Sequence, residues 1–234
     1  MKYLATLLLL VLAAGPLQAT CLPGCAYFYT GDFDPNNPNA NGLANENDAI
    51  VGGNPYGAAT YQNFVVQSAF NITDLFTNNL MTVTPQSAYW EVRAGVSEGN
   101  GGTLIASGTS FDEVVSTGRS GFGYDEYLNH VIVDVNLPAA GTYWFAVVPQ
   151  TPDQDGRSFN SNTFGLNGHG DFIPNQQYFN SAFFGANFTN ANNNGVFPAF
   201  SGGVDSWVPE PSSFLMLGTG LVGAAFAARR RWLH

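Results

Sequence analysis

Apolar and polar residues alternate along much of the middle of this 234-residue chain, with the period of two that sends successive side chains to opposite faces of a strand. In AYWEVRAGV (88–96), Trp90, Val92 and Ala94 share one face and Glu91 and Arg93 the other. SEGNGG then turns the chain into TLIASGT (103–109), which predicts a hairpin. HVIVDVNL (130–137) places Val131, Val133, Val135 and Leu137 on a buried face and Asp134 and Asn136 toward water. PAAGTYWFAVVPQ supplies a turn and a strand over 142–148. YQNFVVQSAF (61–70) reads as another strand, and the polar stretch after it, NITDLFTNN, as a turn-containing connection.

No comparable stretch of helical period runs between residues 26 and 206. Short alternating strands with frequent turns predict an all-β fold, an antiparallel β-sandwich of jelly-roll-like type. The Phe- and Asn-rich segment 157–190 reads as further short strands and long loops that complete it. Residues 20–60, rich in Asn, Asp, Gly and Pro, read mostly as loop. The predicted ectodomain therefore spans 61–206, with Trp90, Trp144 and Phe145 in its core. Apolar residues make up 45% of the chain and charged ones only 10%, enough for a real core and too little charge for a disordered chain.

The two ends read as addresses. Residues 1–19 have a cation at Lys2, an apolar run from Leu4 to Ala14, a helix break at Gly15-Pro16 and a small residue at Ala19. That order predicts a secretory signal peptide removed by signal peptidase. Cys21 invites comparison with a lipidation site, but Gln18 and Thr20 stand where such a site wants Leu and a small residue. Cys21 and Cys25 are the two cysteines of the chain, in CLPGC, and are a candidate disulfide across a Pro-Gly turn. Free thiols are the alternative.

At the other end, residues 207–234 open with VPEP (Val208, Pro209, Glu210, Pro211), whose prolines predict an extended hinge. Fifteen uncharged residues follow, Phe214 to Ala228. As a helix they reach roughly 22 Å, short of the roughly 30 Å hydrocarbon layer, and flanking residues extend the span to a marginal transmembrane helix. Arg229, Arg230 and Arg231 then act as a stop-transfer cluster on the cytoplasmic side. GTGLVG within the span matches a dinucleotide-binding fingerprint in letters only, because no strand precedes it and no βαβ unit follows.

A Val-Pro-Glu-Pro motif, an apolar span and an arginine cluster, in that order, resemble the PEP-CTERM sorting signal of Gram-negative bacteria. The resemblance implies recognition of Pro209, Glu210 and Pro211 by an exosortase and processing near that motif. It also implies passage through the membrane on the C-terminal helix, then a place at the cell surface or in the extracellular matrix, among exopolysaccharide. The strand series ending in AGTYWFAVV is similar, more loosely, to β-sandwich ectodomains of such proteins, which carry no assigned activity.

Charge narrows the partners. All but one of the 17 acidic residues lie between residues 20 and 208, against Arg93, Arg119 and Arg157. A body so acidic, with no basic stripe, repels phosphate backbones and excludes nucleic acid. Catalytic chemistry is sparse. His130 stands at the start of a predicted strand, and His169 with Asp171 makes half of a metal or acid–base pair with no third ligand in view. Asp112-Glu113 and Asp125-Glu126 are sequence neighbours in predicted loops, and no GxSxG is present. Asp32, Asp34, Asp153 and Asp155 are weak calcium candidates in GDFDPNN and DQDG, where Asx-turns are the simpler reading. The expectation is a non-enzymatic structural or matrix-associated protein without a cofactor, with extracellular polysaccharide as a candidate partner. A carbohydrate-binding module is the alternative, which coplanar exposed aromatics would favour. A hydrolase is the distant one, which a pocket with converging carboxylates would favour.

Overall fold

A computed structural model describes residues 26–47, 57–111, 113–151, 156–192 and 198–206. They form fourteen strands: β1 (Phe28–Tyr29), β2 (Gly42–Ala44), β3 (Ala59–Val66), β4 (Phe70–Met81), β5 (Ser87–Ala94), β6 (Thr103–Ser110), β7 (Glu113–Gly121), β8 (Tyr124–Leu137), β9 (Gly141–Gln150), β10 (Ser158–Thr163), β11 (Tyr178–Ser181), β12 (Ala186–Asn190), β13 (Ala199–Phe200) and β14 (Gly202–Asp205). No helix occurs among the described residues.

The strands make two antiparallel sheets packed as a sandwich, as the alternation predicts. One sheet has the order β12-β11-β3-β9-β5-β6. The other is organised around β4, which pairs along its length with β8, and β8 with β7. The opposite edge of β4 is shared by β14 at residues 74–77 and β10 at residues 79–81. β1 continues outward from β14, while β2 and β13 pair with β10.

Between the sheets the interior changes character along the strands. One half is apolar: Val66 and Phe64 from β3, Ile72 and Leu75 from β4, Val131, Val133, Val135 and Leu137 from β8, and Phe145 and Val147 from β9 are all buried in one cluster. The predicted register of β8 is correct, with Val131 fully buried and Ile132 67% exposed. The other half is polar. Thr77 lies opposite Asn129, and Asn79 opposite both Tyr127 and Asn160. Asn160 Nδ2 donates to the carbonyls of Asn78 and Ser201, each at 2.9 Å, and to Asn79 Oδ1, while its Oδ1 accepts from Thr60 Oγ1. Asn45 Nδ2 and Thr77 Oγ1 both donate to Val147 O, which joins the two sheets. Asn45, Asn79 and Asn160 thus recover in the protein hydrogen bonds that they leave behind in water. In this region Asn78 Oδ1 and Asn129 Oδ1 are the atoms without a partner among the described residues.

The stretch NITDLFTNN is not a connection. It is the body of β4, the central strand of its sheet. A bulge between Ile72 and Asp74 resets the alternation, so that Ile72 and Leu75, three apart, both face the core. β3 ends at Val66, short of the predicted residue 70. Asp125-Glu126 lie within β8 and Glu113 opens β7, rather than in loops; Asp112 is outside the described residues. The Asn- and Pro-rich N-terminal segment is mostly turn where described, but its Phe28, Tyr29 and Phe33 are buried and β1 and β2 join the sheet.

The outer face of the six-stranded sheet carries a second, smaller core. Ala59 and Tyr61 from β3, Trp144, Ala146 and Val148 from β9, Tyr178 and Phe188 cluster there. Gly99 N donates to Phe188 O, so β12 meets the β5–β6 turn across this face. Trp144 and Phe145 are thus both core, on opposite sides of one sheet, while Trp90 is half-buried against the interior.

Candidate functional site

His130 sits in the middle of β8, not at a strand start, and is nearly buried. The pairing of β8 with β4 brings Asp74 to its Nε2 at 2.7 Å, and the pairing with β7 brings Glu113 to its Nδ1 at 3.4 Å. Burial lowers the imidazole pKa, but the hydrogen bond and charge of Asp74, then those of Glu113, outweigh it and raise the value. Burial likewise raises Asp74, yet hydrogen bonds from His130 and Thr73 hold it below the ordinary carboxylate value. A cavity of about 350 Å³ opens beside this group, lined by Ser110, Phe111, Glu113, His130 and Ile132. The residue types suggest a serine hydrolase; the geometry is different. Both ring nitrogens face carboxylates, and Ser110 Oγ accepts from Trp90 Nε1 at 2.9 Å. With both ring nitrogens engaged in this way, His130 and Ser110 share no hydrogen bond among the described residues.

Several other charged groups among the described residues are bound up in the same manner. Asp32 Oδ1 accepts from Tyr29 OH at 2.6 Å and from Arg119 Nη1 at 2.7 Å, and Oδ2 accepts from Asn167 Nδ2 at 2.7 Å. Arg119 Nε continues to Glu126, whose fully buried carboxylate also accepts from Thr117 and Ser161. Burial, with Asp32 beside it, pushes the Tyr29 phenol far above its usual range. Burial opposes the charge of Arg119, but Glu126 more than offsets this and raises its pKa. Arg157 forks onto both oxygens of buried Glu46, at 2.8 and 2.9 Å, and Arg93 pairs with buried Glu91. The links of Arg119 and Arg157 tie a loop or edge strand to the sandwich, whereas Arg93 and Glu91 both belong to β5.

Of the calcium candidates, Asp34 closes an Asx-turn by accepting from Asn36 N at 2.9 Å. Asp32 spends its oxygens on the three donors above. Asp153 and Asp155 lie outside the described residues, as do Cys21 and Cys25. His169 Nε2 meets Ala26 O at 2.6 Å, and its backbone bridges to Tyr29. Among the described residues no three His, Cys, Asp or Glu side chains gather as a metal site. Exposed aromatics at the β11–β12 turn do not form a flat platform. Phe183 and Phe184 meet edge to face at 84°, and Phe179 tilts 44° from Phe184.

The decisive functional segment is the tail, which lies outside the described residues. Residues 208–231 match the family model described as the PEP-CTERM protein-sorting motif. The chain carries an exosortase sorting signal. It is therefore an exported protein, sorted to the cell surface and processed by exosortase. The matched range takes in Val208, Pro209, Glu210 and Pro211 at its start and Arg229, Arg230 and Arg231 at its end. Searches of curated proteins and of solved structures found no match to this chain.

Proposed function

We propose that the sandwich is a non-catalytic, structural or matrix-associated ectodomain, delivered by the PEP-CTERM signal and retained among extracellular polysaccharide. The observation that supports this reading most is the use of charge inside the fold. Arg93, Arg119, Arg157 and His130 each close onto at least one carboxylate of the same chain. Such links make a rigid scaffold and leave few groups poised for acid–base work. The signal peptide over residues 1–19 and the membrane passage on the C-terminal helix complete the proposed route.

The sorting half of the reading is tested by replacing Pro209, Glu210 and Pro211 with alanine in a host that carries the exosortase. The expected outcome is a larger precursor retained in the membrane fraction. An unchanged mass would leave a plain membrane tail in its place. The matrix half is tested by co-sedimentation of the full chain, in detergent, with the host's purified exopolysaccharide. Retention in the pellet is expected, and a protein that stays wholly in the supernatant contradicts it.

A further inference from the structure

The β7–β8 hairpin turns in two residues, Phe122 and Gly123, between the paired Gly121 and Tyr124. Both central residues have positive φ, +55° and +83°. That is the geometry of a type I′ turn, for which Asn-Gly is the preferred pair. A bulky residue at positive φ is a true outlier, and such strain persists only where something else holds it. Packing does little of this holding, because Phe122 is 64% exposed.

The ring instead forms one wall of a cavity of about 140 Å³, with Tyr124, Phe159, Leu80, Gly42 and Asn41 as the rest of the lining. Its shape is fixed from below. A Cβ on Gly121 would meet the Phe33 ring at 2.8 Å, and one on Gly42 would meet Phe159 Cβ at 2.9 Å, so both positions keep the backbone close-packed. Tyr124 and Phe159 stand 5.6 Å apart at a tilt of 43°. No charged side chain lines the cavity; the guanidinium of Arg157, 5.0 Å over the Phe159 ring, is paired with Glu46, and the lining is not without polar groups. Asn41 Oδ1 accepts from Gly42 N, while its Nδ2 and the Tyr124 hydroxyl have no partner among the described residues.

We propose that this cavity binds one ring of a neutral polysaccharide, with the C–H face of the sugar against Phe122, Tyr124 and Phe159. Asn41 Nδ2 and the Tyr124 hydroxyl fix the ring's orientation through its hydroxyls. Aromatic walls with a few convergent polar atoms are the usual build of a small-ligand site. Neutral rather than anionic sugar follows from the uncharged lining and from the acidic body, whose field repels uronates and sulfates. The strained Phe122 is a positioning feature: it spends turn stability to present a ring at the cavity mouth. This site rests on the polysaccharide half of the reading above.

The test compares wild-type full chain, Phe122→Asn and Tyr124→Phe. The probes are immobilised neutral hexasaccharides of glucose, galactose, mannose and N-acetylglucosamine, with hexagalacturonate as the anionic control. Wild type should bind at least one neutral probe and not the control. Phe122→Asn should weaken that binding at least tenfold while raising the melting temperature, since it installs the preferred turn pair. Tyr124→Phe should lose severalfold with an unchanged melt. Retained binding in Phe122→Asn overturns the site but leaves the matrix reading intact when co-sedimentation persists. Preference for hexagalacturonate, or no binding to any neutral probe, overturns the site outright, and loss of co-sedimentation as well removes the matrix reading with it.

Discussion

The two halves of the sandwich interior are built on the same strands from opposite chemistry. Around Leu75 and Val131 the sheets meet through aliphatic side chains, whose burial drives folding without regard to direction. Around Asn79 and Asn160 they meet through amides and hydroxyls, each aimed at a named acceptor. The first half tolerates rearrangement that preserves volume; the second tolerates almost none, because a misdirected amide costs its full desolvation. The difference teaches that the high Asn content of this chain is not merely loop composition. Part of it is core.

The largest break of that comparison is a charge in the apolar half. Val133→Asp places an unpaired carboxylate between the sheets and should abolish the cooperative melt, since an isolated buried ion is very costly until it neutralises. Circular dichroism against temperature reads this directly. A near-normal melt would mean that Val133 is not core.

Next comes an amide removed from the polar half. Asn160→Leu keeps a similar volume but takes the acceptor from Thr60 Oγ1 and the donor from Asn79 Oδ1, while Ser161 Oγ and Asn78 N still reach the carbonyls of Asn78 and Ser201. It should cost about 3 kcal/mol, from unsatisfied groups worth about 1–3 kcal/mol each. Denaturant unfolding measures it, and a neutral or stabilising result would show the polar half to be loosely hydrated rather than packed.

His130 sharpens the comparison at the outer face of the same β4–β8 pair. Its pKa is raised on folding, so its contribution is full below the unfolded value of about 6.5 and lost as pH rises through the raised one. Asp74 is lowered, so its contribution is present above about 3.9 and lost as pH falls through the lowered one. The pair therefore stabilises most between roughly pH 4 and 6.5. The stability advantage of wild type over His130→Gln should shrink between pH 5 and pH 9; an advantage that grows would reverse the assignment.

The smallest effect belongs to Asp134→Asn, one residue from Val133 on the exposed face. It loses only the charge on an acceptor of Asn71 Nδ2 at 3.1 Å, and its stability should stay within about 0.5 kcal/mol of wild type. A large loss there would place the register of β8 one residue out.

How far the sequence was readable follows the same division. β5 and β8 from His130 onward were legible because apolar and polar residues alternate on them, and β6 and β9 because turn signals bracket runs of strand-forming residues. β4 was not. Its Asn, Asp and Thr carry turn propensity, its bulge breaks the period, and only partners distant in sequence (Tyr29, Ser158, Asn160 and Ser201) make its amides internal. β7 and the start of β8 escaped for a related reason: a Ser- and Gly-rich edge strand buries little, and a Phe-Gly turn lacks the usual Asn. The sorting tail was fully legible because its chemistry is local and linear. The group around His130 was not, since Asp74 and Glu113 reach it through pairings 56 and 17 residues apart in the chain. The cavity beside Phe122 gathers four segments in the same way.

The claim that the Asn-rich half is core rather than loop is tested most directly by amide hydrogen exchange on the full chain. The amides of residues 77–80 in β4 and 158–162 in β10 should exchange as slowly as those of 131–135 in β8, through the same global opening. Exchange of those two segments at the rate of the surface turns, with 131–135 still protected, would contradict it.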